Sequence, residues 1–148
     1  MSSPAPAFPM VIRDGVEGDY PFIFATWLNH FRESPVGKLP TKDVYFREQH
    51  RVIERLLARS KVLVAANPDA DFHMFGWLVG EHSKIGAIVH YAFVKSPFRK
   101  AGIAKKLLQT LEEIEESEVA WFTHLPDQPA RALRLKPSAT YDPWLAFR

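Results

Sequence analysis

The chain reads as one mixed α/β domain with the element order β-α-α-β-β-β-α-β-α-β. Three observations carry that reading. Apolar residues switch between alternation and helical spacing along the whole length, with no low-complexity linker and no internal repeat. The longest strand pattern, 85–95, feeds a basic turn and a helix that opens on Gly102. A chain of 148 residues is also long enough to bury roughly two-thirds of its unfolded surface in one core.

Residues 1–9, rich in proline, are expected as an extended N-terminal arm, and 10–148 as the domain. A short strand over 10–13 closes at the turn residues Asp14 and Gly15. Tyr20, Ile23, Phe24, Trp27, Leu28 and Phe31 then recur at helical spacing. Asp19 is expected to cap that helix, with Pro21 in its first turn, where a missing N–H costs little. The pattern stops near Glu33, before Ser34-Pro35. A second helix is expected over 43–59, with Val44, Phe46, Ile53, Leu56 and Leu57 facing the core. Strands follow at 61–66, 74–79 and 85–95, separated by turns at 67–69 and 81–84. The third helix, 101–116, carries the stripe Ile103, Leu107, Leu108, Leu111 and Ile114 and ends in a solvated acidic run. A strand at 119–123, a short helix at 128–136 and a last strand at 140–147 complete the order.

Composition excludes several classes. There is no cysteine, hence no disulfide scaffold, thiolate metal site or cysteine nucleophile. No apolar run approaches the ~20 residues that span a bilayer. The opening residues have neither a basic nor an apolar signal region, so a cytoplasmic location follows by default. A net charge of +2 implies no global polycation, and any anion preference must be local.

The strongest local feature is the stretch from Tyr91 to Leu108. Backbone N–H groups at a helix start are unpaired and carry the positive end of the dipole, so a strand feeding such a turn suits a pyrophosphate. Arg99-x-x-Gly102-x-Ala104 places small residues where phosphate must approach, and Arg99, Lys100, Lys105 and Lys106 add charge. This stretch resembles the acetyl-CoA motif of the GCN5-related N-acetyltransferase family, Gln/Arg-x-x-Gly-x-Gly/Ala, set between that family's fourth strand and third helix. The element order resembles the family's across nearly the whole chain. The resemblance implies a GNAT-like acyl-CoA N-acyltransferase fold with acetyl-CoA as cofactor. Phe93 and Val94 would offer backbone groups to the pantetheine arm, and Arg99, Lys100, Ala101, Gly102, Ile103, Ala104 and Lys105 would cradle the pyrophosphate. The phrase from Thr26 to Pro35 also resembles small acetyltransferase-like proteins of tailed phages.

Acyl transfer to an amine needs a group to accept the amine's proton. The family holds its thioester where the fourth and fifth strands splay apart. His90 is therefore the first base candidate, expected on the face of Ile88, Ala92 and Val94, with Tyr91 pointing away toward the helices. The alternative for His90 is a hydrogen-bonded core histidine. His124, ending the next strand, is a second base or a relay through water. Tyr141 is a candidate acid from the last strand. The chain lacks the tyrosine the family commonly carries on its fourth helix, and the asparagine frequent after its fifth strand.

On the acceptor side, Trp27, His30 and Arg32 are candidate substrate-binding residues of the first helix. Arg47, Arg51, Arg55 and Arg59 recur every four residues and form a slanting stripe that suits nucleic-acid phosphate, although such stripes are more often solvated faces. Trp77, Trp121 and Trp144 are expected in the core. The leading reading is N-acyl transfer from acetyl-CoA to an unidentified amine. Its alternatives are a phage-type nucleobase-modifying enzyme on the same scaffold and a non-catalytic binding or assembly protein, compatible with a homodimer or a larger assembly.

Overall fold

The computed structural model describes residues 9–125 and 134–148. The proposed arm therefore lies outside the described residues except for Pro9, as does most of the expected 128–136 helix. Strand β1 (Val11–Asp14) leads through a short 3-10 turn into helices α1 (Tyr20–Arg32) and α2 (Lys42–Arg59). Strands β2 (Lys61–Asn67), β3 (Ala70–Glu81) and β4 (Ala87–Val94) follow, then α3 (Ile103–Glu115), β5 (Val119–Phe122) and β6 (Thr140–Tyr141). Among the described residues these strands form one sheet in chain order, antiparallel from β1 to β4 and parallel from β4 to β6.

The sheet separates two apolar layers. On one face α1 and α2 pack Ile23, Trp27, Phe31, Ile53 and Leu56 against Val64, Trp77, Val79 and Tyr91. On the other, Ile103, Leu107, Leu108 and Leu111 of α3 cover Leu63, Leu78, Ala87 and Val89. The expected α3 stripe holds except at Ile114, which is 46% exposed beyond the last covered turn. In α2, Val44 is exposed and Tyr45 takes the core position, its hydroxyl donating to Leu28 O at 2.6 Å. The expected 140–147 strand is only two residues long. Pro143 cannot donate to a ladder, and the chain turns into a 3-10 segment, Pro143–Phe147, started by Asp142 accepting from Trp144 N–H.

Asp19 does not cap α1 by its side chain. Its buried carboxylate instead accepts both terminal nitrogens of Arg13, at 2.7 and 3.0 Å, and the Val16 N–H at 2.8 Å, tying β1 to the entry of α1. The Arg13 hydrogen bonds hold the carboxyl below its ordinary range. A group with a depressed folded pKa stabilises above its unfolded value of about 4 and loses that contribution as pH falls through the folded value. Asp19→Asn is expected to cost about 2 kcal/mol at pH 7. In urea unfolding its gap from the wild type should narrow between about pH 5 and pH 3. A gap that stays constant with pH would remove the ionic contribution.

Candidate functional site

The chain that links β4 to α3 is built by local geometry. Ser96–Phe98 forms a 3-10 turn in which Phe98 N–H donates to Lys95 O at 2.9 Å. Arg99 folds back, its Nε–H donating to Val94 O at 3.1 Å, which holds the loop against the strand end. Lys100 and Gly102 both adopt positive φ, 69° and 80°. Gly102 is the residue before α3, and Lys106 N–H closes the first helical bond to its carbonyl at 3.0 Å. The N–H groups of Ile103, Ala104 and Lys105 consequently have no carbonyl within the helix and point out of its first turn. A Cβ added at Gly102 would meet nothing within 4 Å, so the glycine is required by the left-handed backbone and not by crowding.

This loop forms one end of a cavity of about 900 Å³. Of the residues expected to hold the cofactor, Phe93, Val94, Arg99, Lys100, Gly102, Ile103, Ala104 and Lys105 line it. Ala101 does not; it packs against the α3 layer of the core. At the other end the cavity reaches Val89, Phe122, His124, Tyr91 and His30. The space opens there because β4 and β5 stop pairing. Their register ends at Val89 and Phe122, with Thr123 N–H donating to Val89 O at 3.1 Å, while β4 runs on to Val94.

His30 lines the cavity and pairs through Nδ1 with the Tyr91 hydroxyl at 2.7 Å. Trp27 and Arg32 are not among the lining residues. Trp27 is fully buried and stacked on Tyr91, with ring centres 5.5 Å apart. Arg32 donates to Gly37 O and Pro40 O and lies over the Tyr45 ring, fastening the loop that joins α1 to α2. Both are structural positions. Tyr141 pairs with Phe122 in the sheet and is likewise not among the described lining residues; burial pushes its hydroxyl up.

His90 is fully buried and is not on the cavity wall either. Its position corrects the simple alternation. The register between β3 and β4 slips between Val79 and Gly80, so that Val79 faces Tyr91 while Gly80 faces Val89, and His90 is the extra residue of a bulge. The phase changes there: Val89 and Ala92 face α3, whereas Tyr91 and Phe93 face α1 and α2. His90 bonds through Nε2 to Glu81 at 3.0 Å and through Nδ1 to Thr123 Oγ1 at 2.8 Å. Glu81 in turn pairs with Arg59 of α2 at 2.8 Å, which places His90 on the helical side with Tyr91. Thr123 also contacts His124 Nδ1 at 2.9 Å, and His124 Nε2 meets the Gln49 amide at 2.9 Å.

Burial depresses both histidines, His124 to about 3, and each is neutral at pH 7. Glu81 is held low, first by the hydrogen bond from His90 and further by Arg59. Glu81, Thr123 and Gln49 escape a sequence reading. Glu81 falls in the expected 81–84 turn because β3 is longer than its apolar run, and only Gly80, a glycine inside a strand pattern, marks the bulge. Of the arginine stripe, Arg47 and Arg51 share Glu48. Arg59 is tied to Glu81 and donates to the Leu145 and Arg148 carbonyls.

No family model and no curated protein matches the chain by sequence. Solved structures do match it. A GCN5-related N-acetyltransferase from Sphaerobacter thermophilus aligns at TM-score 0.53 and 23% identity over 76% of this chain, which spans only 34% of that protein. The PaiA N-acetyltransferase of Thermoplasma acidophilum, solved with coenzyme A, aligns at TM-score 0.54 and 18% identity, covering 74% of this chain and 73% of that one. YhbS of Escherichia coli, a GNAT family N-acetyltransferase in complex with CoA, aligns at TM-score 0.54 and 19% identity, covering 92% and 71%. The fold is that of the GCN5-related N-acetyltransferases. The resemblance thus holds at the level of architecture, and in this chain the Arg99-to-Ala104 stretch lies at the turn between β4 and α3. Among the described residues no helix is long and apolar enough to cross a membrane.

Proposed function

We propose that this chain is an acyl-CoA-dependent N-acyltransferase that uses acetyl-CoA. The observation that supports this most is a single cavity joining the left-handed turn before α3 to the opening between β4 and β5. Such a cavity has the size of a cofactor site. The first-turn N–H groups of α3, with Lys100 and Lys105 at the rim, suit a pyrophosphate. The edge of β4 at Phe93 and Val94 suits an extended amide arm. When bound, acetyl-CoA supplies a thioester whose thiol leaves on attack. The chain's own part is to hold the amine beside His30 and Tyr91, and to accept its proton on the cavity wall at His124. The amine attacks directly, and no covalent enzyme intermediate is needed.

Titration calorimetry with acetyl-CoA tests the reading. One site is expected, and no heat at millimolar ligand would overturn it. Mass spectrometry of lysate incubated with labelled acetyl-CoA then identifies the acceptor as small molecule, protein or nucleic acid. Binding without label transfer to any acceptor would favour the non-catalytic alternative. Because three of the four stripe arginines are already engaged, the nucleic-acid alternative gains no specific support from the fold.

A further inference from the structure

The large cavity reaches both faces of the sheet. The loop before α3, with Val89, Ile103, Leu108 and Phe122, lines it on the α3 face. His30, Tyr91, Phe93 and His124 line it on the other face, against α1, where β4 and β5 have parted. With a cofactor on the α3 face, the α1 face is left to the acceptor.

That face is aromatic. His30 stands edge-on to Phe93 and to Tyr91, with ring centres 5.3 and 6.0 Å apart. A second layer fixes these rings from behind. Trp27 stacks on Tyr91, Trp77 stacks on Phe93, and Phe31 meets the His124 ring edge-on at 4.8 Å. Trp27 and Trp77 are fully buried, so close packing holds the wall in one arrangement. Flat apolar surfaces fixed before a ligand arrives suit another flat apolar group, at little ordering cost.

Charge points the same way. No Asp or Glu is among the described lining residues. Carboxylates on the neighbouring elements are engaged elsewhere: Glu33 with Lys38, Glu48 with Arg47, Glu54 with His50, and Glu81 with Arg59. The charge beside the wall is positive. Lys95 Nζ lies 5.0 Å from the centre of the Phe22 ring, and Phe22 is edge-on to Phe93. A second ammonium group on the acceptor would lose water there, gain no counter-charge, and meet Lys95.

We propose that the acceptor is a primary amine borne on an uncharged aromatic body, and that the same wall turns away polyamines and other polycations. The inference rests on the acyltransferase reading. The transfer itself balances in the ordinary way: the N–C bond forms, the C–S bond breaks, and one amine proton ends on the thiol. His30 and Phe93 are the specificity-determining side chains, because they present the wall without belonging to its fully buried backing.

Thiol release from acetyl-CoA, measured with 2-phenylethylamine and with spermidine, tests the class. Burying a phenyl ring predicts a kcat/KM at least about 10-fold higher for 2-phenylethylamine. Equal or better use of spermidine overturns the inference. His30→Glu places a carboxylate on the wall, where the Tyr91 hydroxyl can still donate to it, and should move the ratio about 10-fold or more toward spermidine. Phe93→Leu keeps an apolar side chain and the strand backbone. It should raise KM for 2-phenylethylamine about fivefold and leave KM for acetyl-CoA unchanged. An unmoved ratio in a folded His30→Glu, together with an unmoved KM in Phe93→Leu, removes the aromatic wall from acceptor recognition.

Saturation-transfer NMR reads the same wall without turnover. With coenzyme A present, the phenyl protons of 2-phenylethylamine should receive magnetisation from the protein, and spermidine should receive none. Absence of the phenyl signal overturns the inference while leaving coenzyme A binding intact. A chain that took up no coenzyme A would instead sink the acyltransferase reading, and the phenyl signal on the protein alone would still report whether the wall holds an aromatic amine.

Discussion

Gly102→Glu is expected to weaken coenzyme A binding by at least about 100-fold, roughly 2.7 kcal/mol, while leaving the protein folded. Two small terms oppose each other in the free protein. A side chain at φ 80° costs about 1–2 kcal/mol of left-handed strain. A carboxylate before the first turn of α3 recovers about 0.3–1 kcal/mol by facing the dipole. No atom lies within 4 Å of the added Cβ, so packing contributes nothing. The same carboxylate then occupies the place where an anion would meet the N–H groups of Ile103, Ala104 and Lys105. Gly102→Ala bears the strain without the charge, and its affinity should stay within about fivefold of wild type. Calorimetry on the pair separates backbone strain from anion competition. Unweakened binding in Gly102→Glu would move the pyrophosphate away from this loop.

This loop was legible in the sequence because it is local. A strand pattern, a small residue at a turn and the stripe Ile103, Leu107, Leu108, Leu111 fix it within one continuous segment. The sheet order was legible for the same reason, since β2, β3 and β4 follow one another through short turns. What the sequence hid depends on registers between segments. His90 lies with Tyr91 and not with Ala92 because one bulge at Gly80 shifts the phase of β4, and alternation cannot foresee a bulge. The Gln49–His124–Thr123–His90–Glu81 chain needs that bulge, the full length of β3 and the packing of α2 together. In α2 the run Val44-Tyr45-Phe46 has no polar residue to fix its phase, and the larger, hydrogen-bonded Tyr45 takes the interior.

Tryptophan substitutions test the same distinction between pattern and packing. Trp77→Ala is expected to destabilise the protein by about 3–5 kcal/mol, lowering Tm by roughly 10 °C or more. Its indole is fully buried, lies 5.6 Å from Trp27 and 5.8 Å from Tyr91 between ring centres, and donates through Nε1 to Thr26 Oγ1 at 2.9 Å. Removing it opens a void where α1 crosses the sheet and leaves Thr26 without that donor. Such a loss is a large share of the roughly 5–15 kcal/mol that holds a domain folded. Trp144, read from sequence as equally interior, is 75% exposed on the turn after Pro143, and Trp144→Ala should stay within about 0.5 kcal/mol. Thermal and urea unfolding of the two variants checks both values. Equal losses would mean that the C-terminal turn packs as tightly as the α1 face of β3. Because Trp77 also stacks on Phe93, 6.1 Å between centres, its removal should loosen the β4 wall of the cavity. Trp77→Phe, which refills much of the void but not the hydrogen bond to Thr26, is expected to recover more than half of the lost stability.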